Sequence, residues 1–174
     1  MNHTNELKRA IRDVPDFPKK GILFKDITTL LAKGKLFRNA VDDIVDRYKR
    51  KKIDCVVAVE SRGFIFGSAI AYKLGAGLVP VRKKGKLPYR TIQATYALEY
   101  GTDVLEMHED ALQPGSRVLI VDDLLATGGT AKAAGDLVKR LGGRLVGYAF
   151  LIELGFLNGR KNLDGSPVQA LIKY

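Results

Sequence analysis

Ten residues in the C-terminal half combine carboxylates, hydroxyls and glycines in an order that could bind a phosphorylated sugar. They read VDDLLATGGT and cover Val121–Thr130. Small residues let backbone N–H groups approach a phosphate closely, and the amino terminus of a following helix adds its positive dipole. Thr127 and Thr130 can also donate hydroxyl hydrogen bonds to that phosphate. The segment therefore predicts a phosphate-binding loop.

The acidic pair Asp122 and Asp123 stands directly before the glycines of this loop. Because carboxylates repel phosphate, we expect the pair to face vicinal ribose hydroxyls, from which carboxylates accept hydrogen bonds. No lysine directly follows the glycines and the spacing is not GxGxxG, so neither common nucleotide loop fits. The alternative is an ordinary strand–turn–helix connection with an aspartate N-cap. The whole string is more specific than that alternative requires, and it favours a ribose 5-phosphate ligand.

Alternating strands and helices would position this loop. Apolar residues recur at three- and four-residue spacing from Leu36 to Tyr48, which predicts an amphipathic helix. The apolar run Cys55–Val59 is typical of a strand buried on both faces. The other predicted elements are helices Phe64–Leu74 and Ala131–Leu141 and strands Leu78–Val81, Ile92–Leu98, Asp103–His108, Val118–Val121, Arg144–Ile152 and Val168–Ile172.

This alternation predicts an α/β fold in which helices flank a mostly parallel central sheet. The strands Ile92–Leu98 and Asp103–His108 are expected to form a hairpin. In such sheets ligands bind beyond the carboxyl ends of the strands. That rule points to the residues from Glu60 onward and from Asp122 onward.

The composition restricts the class of protein. The chain has 174 residues, 46% of them hydrophobic, which is enough for one domain with its own core. Its single cysteine, Cys55, lies in an apolar run and cannot form an internal disulfide. The amino terminus lacks the apolar region of a signal peptide, and no apolar stretch approaches the ~20 residues that span a bilayer. We expect a cytoplasmic protein that does not bind membranes.

The net charge is strongly positive, because 29 Lys and Arg residues outnumber 19 Asp and Glu residues to give +10. Such a charge suits either a nucleic-acid surface or a site for a small polyanion. The basic cluster Arg82–Lys86 sits in a segment with Gly85 and Pro88, which suits a mobile phosphate clamp. An RNA-binding module is suggested by charge alone, without the aromatic strings of an RRM. We predict no nucleic-acid partner.

The ten-residue loop resembles the phosphoribosyl-diphosphate motif of type I phosphoribosyltransferases, and three other segments agree in order. Residues 16–28 resemble the base-binding stretch of that family, and Glu60–Phe64 resembles its diphosphate loop. Residues 82–88, followed by 96–101, resemble its flexible catalytic lid and the strand after it. The resemblance runs from about Ile11 to the end. It implies one type I phosphoribosyltransferase domain over residues 1–174, with a small hood (1–33) and a flexible lid hairpin (82–101).

The implied reaction joins adenine to phosphoribosyl diphosphate, giving AMP and diphosphate, with Mg²⁺ bound through phosphoribosyl diphosphate rather than by a cluster of protein ligands. The resemblance also implies a homodimer and a cis peptide bond between Glu60 and Ser61. The phosphoribosyl diphosphate ligands it implies are Ser61, Arg62, Lys83, Lys86, Asp122, Asp123, Ala126, Thr127, Gly128, Gly129 and Thr130. The adenine ligands it implies are Leu23, Phe24, Lys25 and Leu157.

Loss of diphosphate leaves a cation-like ribosyl centre, so catalysis needs positioning and stabilisation of the leaving group's charge. Arg62 and Lys86 are the implied catalytic cations, and a closing lid would exclude water. The resemblance places Glu99 near the base, where it would handle the N9 proton through N7; otherwise Glu99 is a surface charge at a hairpin end. A 6-oxopurine (xanthine-type) transferase and a non-catalytic regulator that senses phosphoribosyl diphosphate remain alternatives.

Overall fold

Strands and helices alternate through most of the chain in the computed structural model, which describes residues 3–97, 102–163 and 165–174. The helices are α1 (Thr4–Ala10), α2 (Thr28–Leu31), α3 (Gly34–Tyr48), α4 (Gly63–Leu74) and α5 (Gly129–Arg140). The strands are β1 (Arg12–Pro15), β2 (Leu23–Asp26), β3 (Cys55–Val59), β4 (Gly77–Lys83), β5 (Thr91–Ala97), β6 (Thr102–His108), β7 (Arg117–Leu125), β8 (Arg144–Glu153) and β9 (Val168–Lys173). Two 3₁₀ turns, Gly155–Leu157 and Gly159–Asn162, lie between β8 and β9.

A seven-stranded sheet with the order β5-β6-β4-β3-β7-β8-β9 forms the centre of the structure. The pairs β3–β4, β3–β7, β7–β8 and β8–β9 are parallel, whereas β5–β6 and β4–β6 are antiparallel. Strands β1 and β2 form a separate antiparallel hairpin. The predicted mostly parallel α/β fold is therefore confirmed, and the two strands predicted to form a hairpin, β5 and β6, pair antiparallel.

Strand β3 shows why its sequence is continuously apolar. Every residue of Cys55–Val59 is buried. Val56 belongs to the core under α1–α4, while Val57 and Val59 belong to the core under α5. Since successive side chains of a strand point to opposite faces, burial on both faces requires apolar residues at every position. Its carboxyl end leads directly into Glu60.

Strand β7 extends further than its apolar run predicts. The apolar pattern predicts a strand that ends at Val121, but pairing with β8 continues to the partners Leu125 and Glu153. Because β8 is long enough to supply partners, the acidic pair Asp122 and Asp123 lies within the strand rather than in the loop after it. The loop itself is limited to Ala126–Gly128 before α5 begins.

None of the helices in the described part of the chain combines the length and apolar composition that crossing a membrane requires.

Candidate active site

A cavity of about 400 Å³ opens at the carboxyl ends of the neighbouring parallel strands β3 and β7. This is where the strand order reverses, the position at which α/β sheets bind ligands. The cavity is lined by Glu60, Ser61, Arg62, Lys83, Tyr96, Leu105, Asp122, Asp123, Leu124, Leu125, Ala126, Thr127, Gly128, Gly129, Thr130 and Ala131. The structure thus brings the predicted loop, the acidic pair and the predicted Ser61, Arg62 and Lys83 together.

The predicted phosphate-binding loop is supported by a neighbouring segment of the chain. Gly128 has φ +87°, a left-handed conformation that favours glycine, and α5 begins at the next residue. The amide of Asn162 donates a hydrogen bond of 2.7 Å to the carbonyl oxygen of Thr127. Gly159 lies so close to the loop that a Cβ on either Gly128 or Gly159 would overlap backbone of the other segment. The second 3₁₀ turn therefore supports the loop, with the amino terminus of α5 directed at the cavity.

The two acidic side chains differ in environment. Asp123 is only 4% exposed, and its Oδ2 lies 2.6 Å from Nε of Arg62. Asp122 lies deep in the site while keeping some solvent exposure, and its Oδ1 accepts a hydrogen bond of 2.8 Å from the backbone N–H of Asp123. Burial, followed by the negative charge of Asp123, raises the pKa of Asp122 well above its usual range. Asp122 therefore gives up its proton less readily than an exposed aspartate.

Arg62 connects the acidic pair with the hood. Besides its ion pair with Asp123, its guanidinium carbon lies 5.2 Å from the centre of the Phe24 ring. The peptide between Glu60 and Ser61 is cis, as the resemblance implied. Arg62 precedes Gly63, where a Cβ would lie 2.9 Å from the Asp122 carboxylate and from the Val121 carbonyl. Close packing at Gly63 brings the start of α4, and Arg62 with it, against β7.

Two cations of the lid segment lie near the same cavity. Lys83 lines it, and its Nζ lies 3.1 Å from the Asp103 carboxylate. The hydrogen bond and charge of Asp103 raise the pKa of Lys83. Lys86 is outside the cavity lining, and its Nζ donates a hydrogen bond of 2.7 Å to Glu60. Both predicted lysines are thus paired with carboxylates.

Sequence reasoning named Glu60 and Tyr96 only as members of longer segments and gave neither a ligand role, although both line the cavity. The Tyr96 hydroxyl hydrogen-bonds the Asp103 carboxylate at 3.3 Å and also hydrogen-bonds Thr130 of the loop. The sequence signal available for Glu60 was its place directly after β3. Tyr96 had no such signal, because its role depends on how the β5–β6 hairpin folds over α5.

The predicted base-binding residues are less closely gathered. Of these, Phe24 is nearest to the cavity through its contact with Arg62, and its ring packs edge-on against Phe17 at 5.1 Å. Leu23 is half exposed, and the Lys25 side chain turns away to Asp13 at 2.6 Å. Leu23, Lys25 and Leu157 do not line the cavity.

Glu99 lies outside the described residues. Within the described ranges, no group of three or more His, Cys, Asp or Glu side chains is arranged to hold a metal ion.

The predicted phosphate loop, the acidic pair and a set of cations meet at a switch point of a parallel sheet, an arrangement that suits a phosphorylated sugar. The family model of the phosphoribosyl transferase domain matches residues 26–169, and the chain belongs to that family. The resemblance stated from the motifs is therefore confirmed.

Three similar proteins of this family are all adenine phosphoribosyltransferases. The adenine phosphoribosyltransferase of Syntrophotalea carbinolica is 60% identical over 169 residues, which cover 97% of this chain and 99% of that protein. The crystal structure of adenine phosphoribosyltransferase from Rhodothermus marinus superimposes with a TM-score of 0.95 at 55% identity, covering 98% of both chains. The Saccharomyces cerevisiae enzyme, solved with an imino-altritol bisphosphate and adenine, gives 0.93 at 46% identity, covering 97% of this chain and 98% of its own.

Proposed function

We propose that this protein transfers the 5-phosphoribosyl group from phosphoribosyl diphosphate to adenine, giving AMP and diphosphate in purine salvage. The observation that carries the proposal is that the proposed phosphate-binding loop, the acidic pair and two cations from other segments, Arg62 and Lys83, line one and the same cavity. The choice of adenine is supported by relatives about 60% identical over nearly the whole chain, which are adenine phosphoribosyltransferases.

In this proposal the loop binds the 5′-phosphate and the acidic pair binds the ribose. Backbone N–H groups of Ala126–Thr130 and the hydroxyls of Thr127 and Thr130 surround the phosphate, and the amino terminus of α5 stabilises its charge. Asp122 and Asp123 bind the 2′- and 3′-hydroxyls. This fixes C1′ between the acidic pair and the cations, so that binding energy is used for orientation.

The cations act on the leaving group. As the bond from C1′ to the diphosphate oxygen breaks and the bond to N9 forms, negative charge accumulates on diphosphate. Arg62, Lys83 and Lys86 are the cations we assign to it, with the Ser61 backbone beside them. We propose that the segment Arg82–Arg90 of the lid hairpin closes over the site and keeps water from C1′.

The base is bound by the hood, residues 1–33. We assign adenine to the backbone of Leu23 and Lys25, to stacking on Phe24, and to closure by Leu157. The orientation of the Lys25 side chain toward Asp13 is compatible with recognition through its backbone. Glu99 is assigned to the N9 proton, which leaves as the new bond forms.

Mg²⁺ would enter with phosphoribosyl diphosphate, bound by diphosphate and ribose oxygens. Mg²⁺ in nucleotide sites is held mainly by substrate phosphates and one or two carboxylates. The cavity fits that pattern, because Asp122 and Asp123 lie where the ribose oxygens that would share the ion are proposed to bind. When bound, the ion would neutralise charge on the departing diphosphate.

We further propose a homodimer in the cytoplasm. Ile65 and Tyr72 on α4, together with Leu78 on β4, expose apolar side chains, and Tyr72 is 87% exposed. A second copy that covered this surface would lie beside Arg62, since α4 begins at the next residue. The free and buried Cys55 supports a reducing compartment.

The test is nucleotide formation from phosphoribosyl diphosphate and Mg²⁺ with adenine, hypoxanthine, guanine and xanthine offered separately. We expect AMP to form far faster than the other nucleotides. Activity with an oxopurine alone would reject the base assignment and keep the phosphate site. Tight binding of phosphoribosyl diphosphate with no turnover would favour the regulator. For Glu99, near-normal turnover of a folded Glu99→Leu variant would contradict its assignment.

A further inference from the structure

Glu60 is a carboxylate placed where the proposed substrate brings most of its negative charge. It follows the carboxyl end of β3, lines the cavity and precedes Ser61 and Arg62 of the diphosphate loop. A negative charge there opposes diphosphate binding unless it has another role. The side chain is only 10% exposed, so it is part of the structure of the site rather than a solvated surface group.

Four donors from the lid segment converge on this carboxylate. Its Oε1 accepts hydrogen bonds from Lys86 Nζ at 2.7 Å and from an Arg82 terminal nitrogen at 3.2 Å. Its Oε2 accepts from Arg82 Nε at 3.2 Å and from the Lys83 backbone N–H at 3.1 Å. Arg82 therefore contacts both oxygens in the forked geometry that orients a guanidinium. Burial would raise the pKa of Glu60, but the hydrogen bonds from Lys86, Arg82 and Lys83 lower it to about 2.

The same contacts determine the path of the lid backbone. Arg82 also donates from its other terminal nitrogen to the carbonyl oxygen of Lys86 at 3.0 Å, which joins the two ends of the turn. On the other side of the turn, the N–H of Gly85 donates to the buried Glu106 at 2.9 Å. The segment Arg82–Lys86 is thus held between two carboxylates, and Glu60 is the one that also faces the cavity.

We propose that Glu60 is a positioning residue that holds Arg82 and Lys86 at the diphosphate end of the cavity. The inference rests on the proposed function, because it assigns diphosphate to that end. Glu60 itself does not touch the reacting atoms. It acts through the cations, which are in place before the leaving group develops its charge, so that less reorganisation is needed during the reaction.

The direct test is Glu60→Gln, which keeps the shape and removes the charge. A glutamine amide has one acceptor oxygen and directs an NH₂ donor toward the lid donors. Binding is measured by calorimetry with two probes, diphosphate with Mg²⁺ and AMP, because AMP lacks the diphosphate group. We expect diphosphate binding and the KM for phosphoribosyl diphosphate to weaken about tenfold, the effect of losing one charge-assisted contact. AMP affinity should stay within about twofold of the unmodified protein on the same scale.

Two further variants complete the design. Glu60→Asp keeps the charge on a shorter side chain and should recover part of the lost diphosphate affinity. Asp46→Asn is the matched control, because it removes the charge of an exposed carboxylate on α3 that pairs with Lys49 at 2.8 Å, and it should change neither probe. The melting temperature of each variant is recorded in parallel.

Three results would overturn the inference. Unchanged diphosphate binding in Glu60→Gln would show that the cations do not depend on Glu60. Tighter diphosphate binding would show that Glu60 only competes with the ligand. Equal weakening of AMP and diphosphate, with a lower melting temperature and no recovery in Glu60→Asp, would show a purely structural role. If the unmodified protein forms no nucleotide and binds neither probe, the proposed function fails instead, so the two failures are distinguishable.

Discussion

Gly128 is the residue of the proposed phosphate-binding loop that packs against the supporting 3₁₀ turn, and replacing it with alanine adds one methyl group at that contact. Its φ of +87° already disfavours an L-residue, by about 1–2 kcal/mol. In addition, the new Cβ would overlap the carbonyl oxygen of Gly159 and lie 3.3 Å from Cβ of Asn162. Since the obstacle is backbone, the loop or the turn must move, and overpacking of this kind costs about 1–3 kcal/mol more.

Gly115 provides a matched control for the strain. It has φ +84°, and an added Cβ there would meet nothing within 4 Å. Gly115→Ala should therefore lose about 1–2 kcal/mol of unfolding free energy from the backbone conformation alone. Gly128→Ala should lose about 2–5 kcal/mol, the sum of the same strain and the steric contact.

The assay combines urea unfolding with calorimetric titration of AMP. Because the displaced residues are those proposed to surround the 5′-phosphate, we expect Gly128→Ala to weaken AMP binding at least about tenfold, or about 1.4 kcal/mol. Gly115→Ala should bind AMP normally. Normal AMP affinity in a folded Gly128→Ala variant would refute the assignment of this loop to phosphate. Equal destabilisation of the two variants would refute the steric argument.

Three further predictions concern other parts of the site and core. Asn162→Ala removes the hydrogen bond to Thr127 and should weaken AMP binding roughly threefold to tenfold while leaving diphosphate binding unchanged. The same calorimetry measures both affinities, and an equal loss for the two ligands would contradict this prediction. Burial, and then the charge of Asp54, raises the pKa of Cys55 to about 11, so the thiol should react slowly with a disulfide reagent at pH 8 and rapidly in urea. Glu60 has its pKa lowered from 4.5 to about 2, so its stabilising effect is complete above pH 4.5 and is lost as the pH falls toward 2. Urea unfolding should show Glu60→Gln approaching the unmodified protein over that range; a pH-independent difference would contradict the assigned ion pairs.

Local patterns predicted the central elements β3 and α3 because β3 is buried at every position and α3 is buried along one regular stripe. Strand β3 was bounded correctly by its apolar run, and the stripe from Leu36 to Tyr48 predicted α3, whose buried residues include Ala40 and Ile44. The end of β7 was not predictable in this way, because Asp122–Leu125 stay in the sheet through pairing with β8, a long-range partner. The hairpin β1–β2 was also not predicted, since each strand has only four residues and none of them is buried.

The candidate site likewise contains a part that was predictable from local sequence and a part that was not. The residues that one contiguous motif contains, Asp122–Thr130, could be placed together from sequence. The support for that motif could not, because Asn162 is 35 residues from Thr127 along the chain. Likewise, the pairing of Glu60 with Lys86 spans 26 residues and depends on how β4 leaves the sheet. Contacts of this kind, between residues far apart along the chain, leave no local sequence pattern.

These indirect contacts give the site its electrostatic character. Arg62 is paired with Asp123, Lys83 with Asp103, and both Arg82 and Lys86 with Glu60. An arriving polyanion therefore meets cations that already have carboxylate partners, and its oxygens must share or replace those partners. Because each cation is already oriented, the ligand orders fewer side chains when it binds. The net charge of +10 can attract a polyphosphate over a distance. Because each cation in the site is already partly neutralised, discrimination between ligands depends on how well a ligand's oxygens match the positions at which the carboxylates hold these cations.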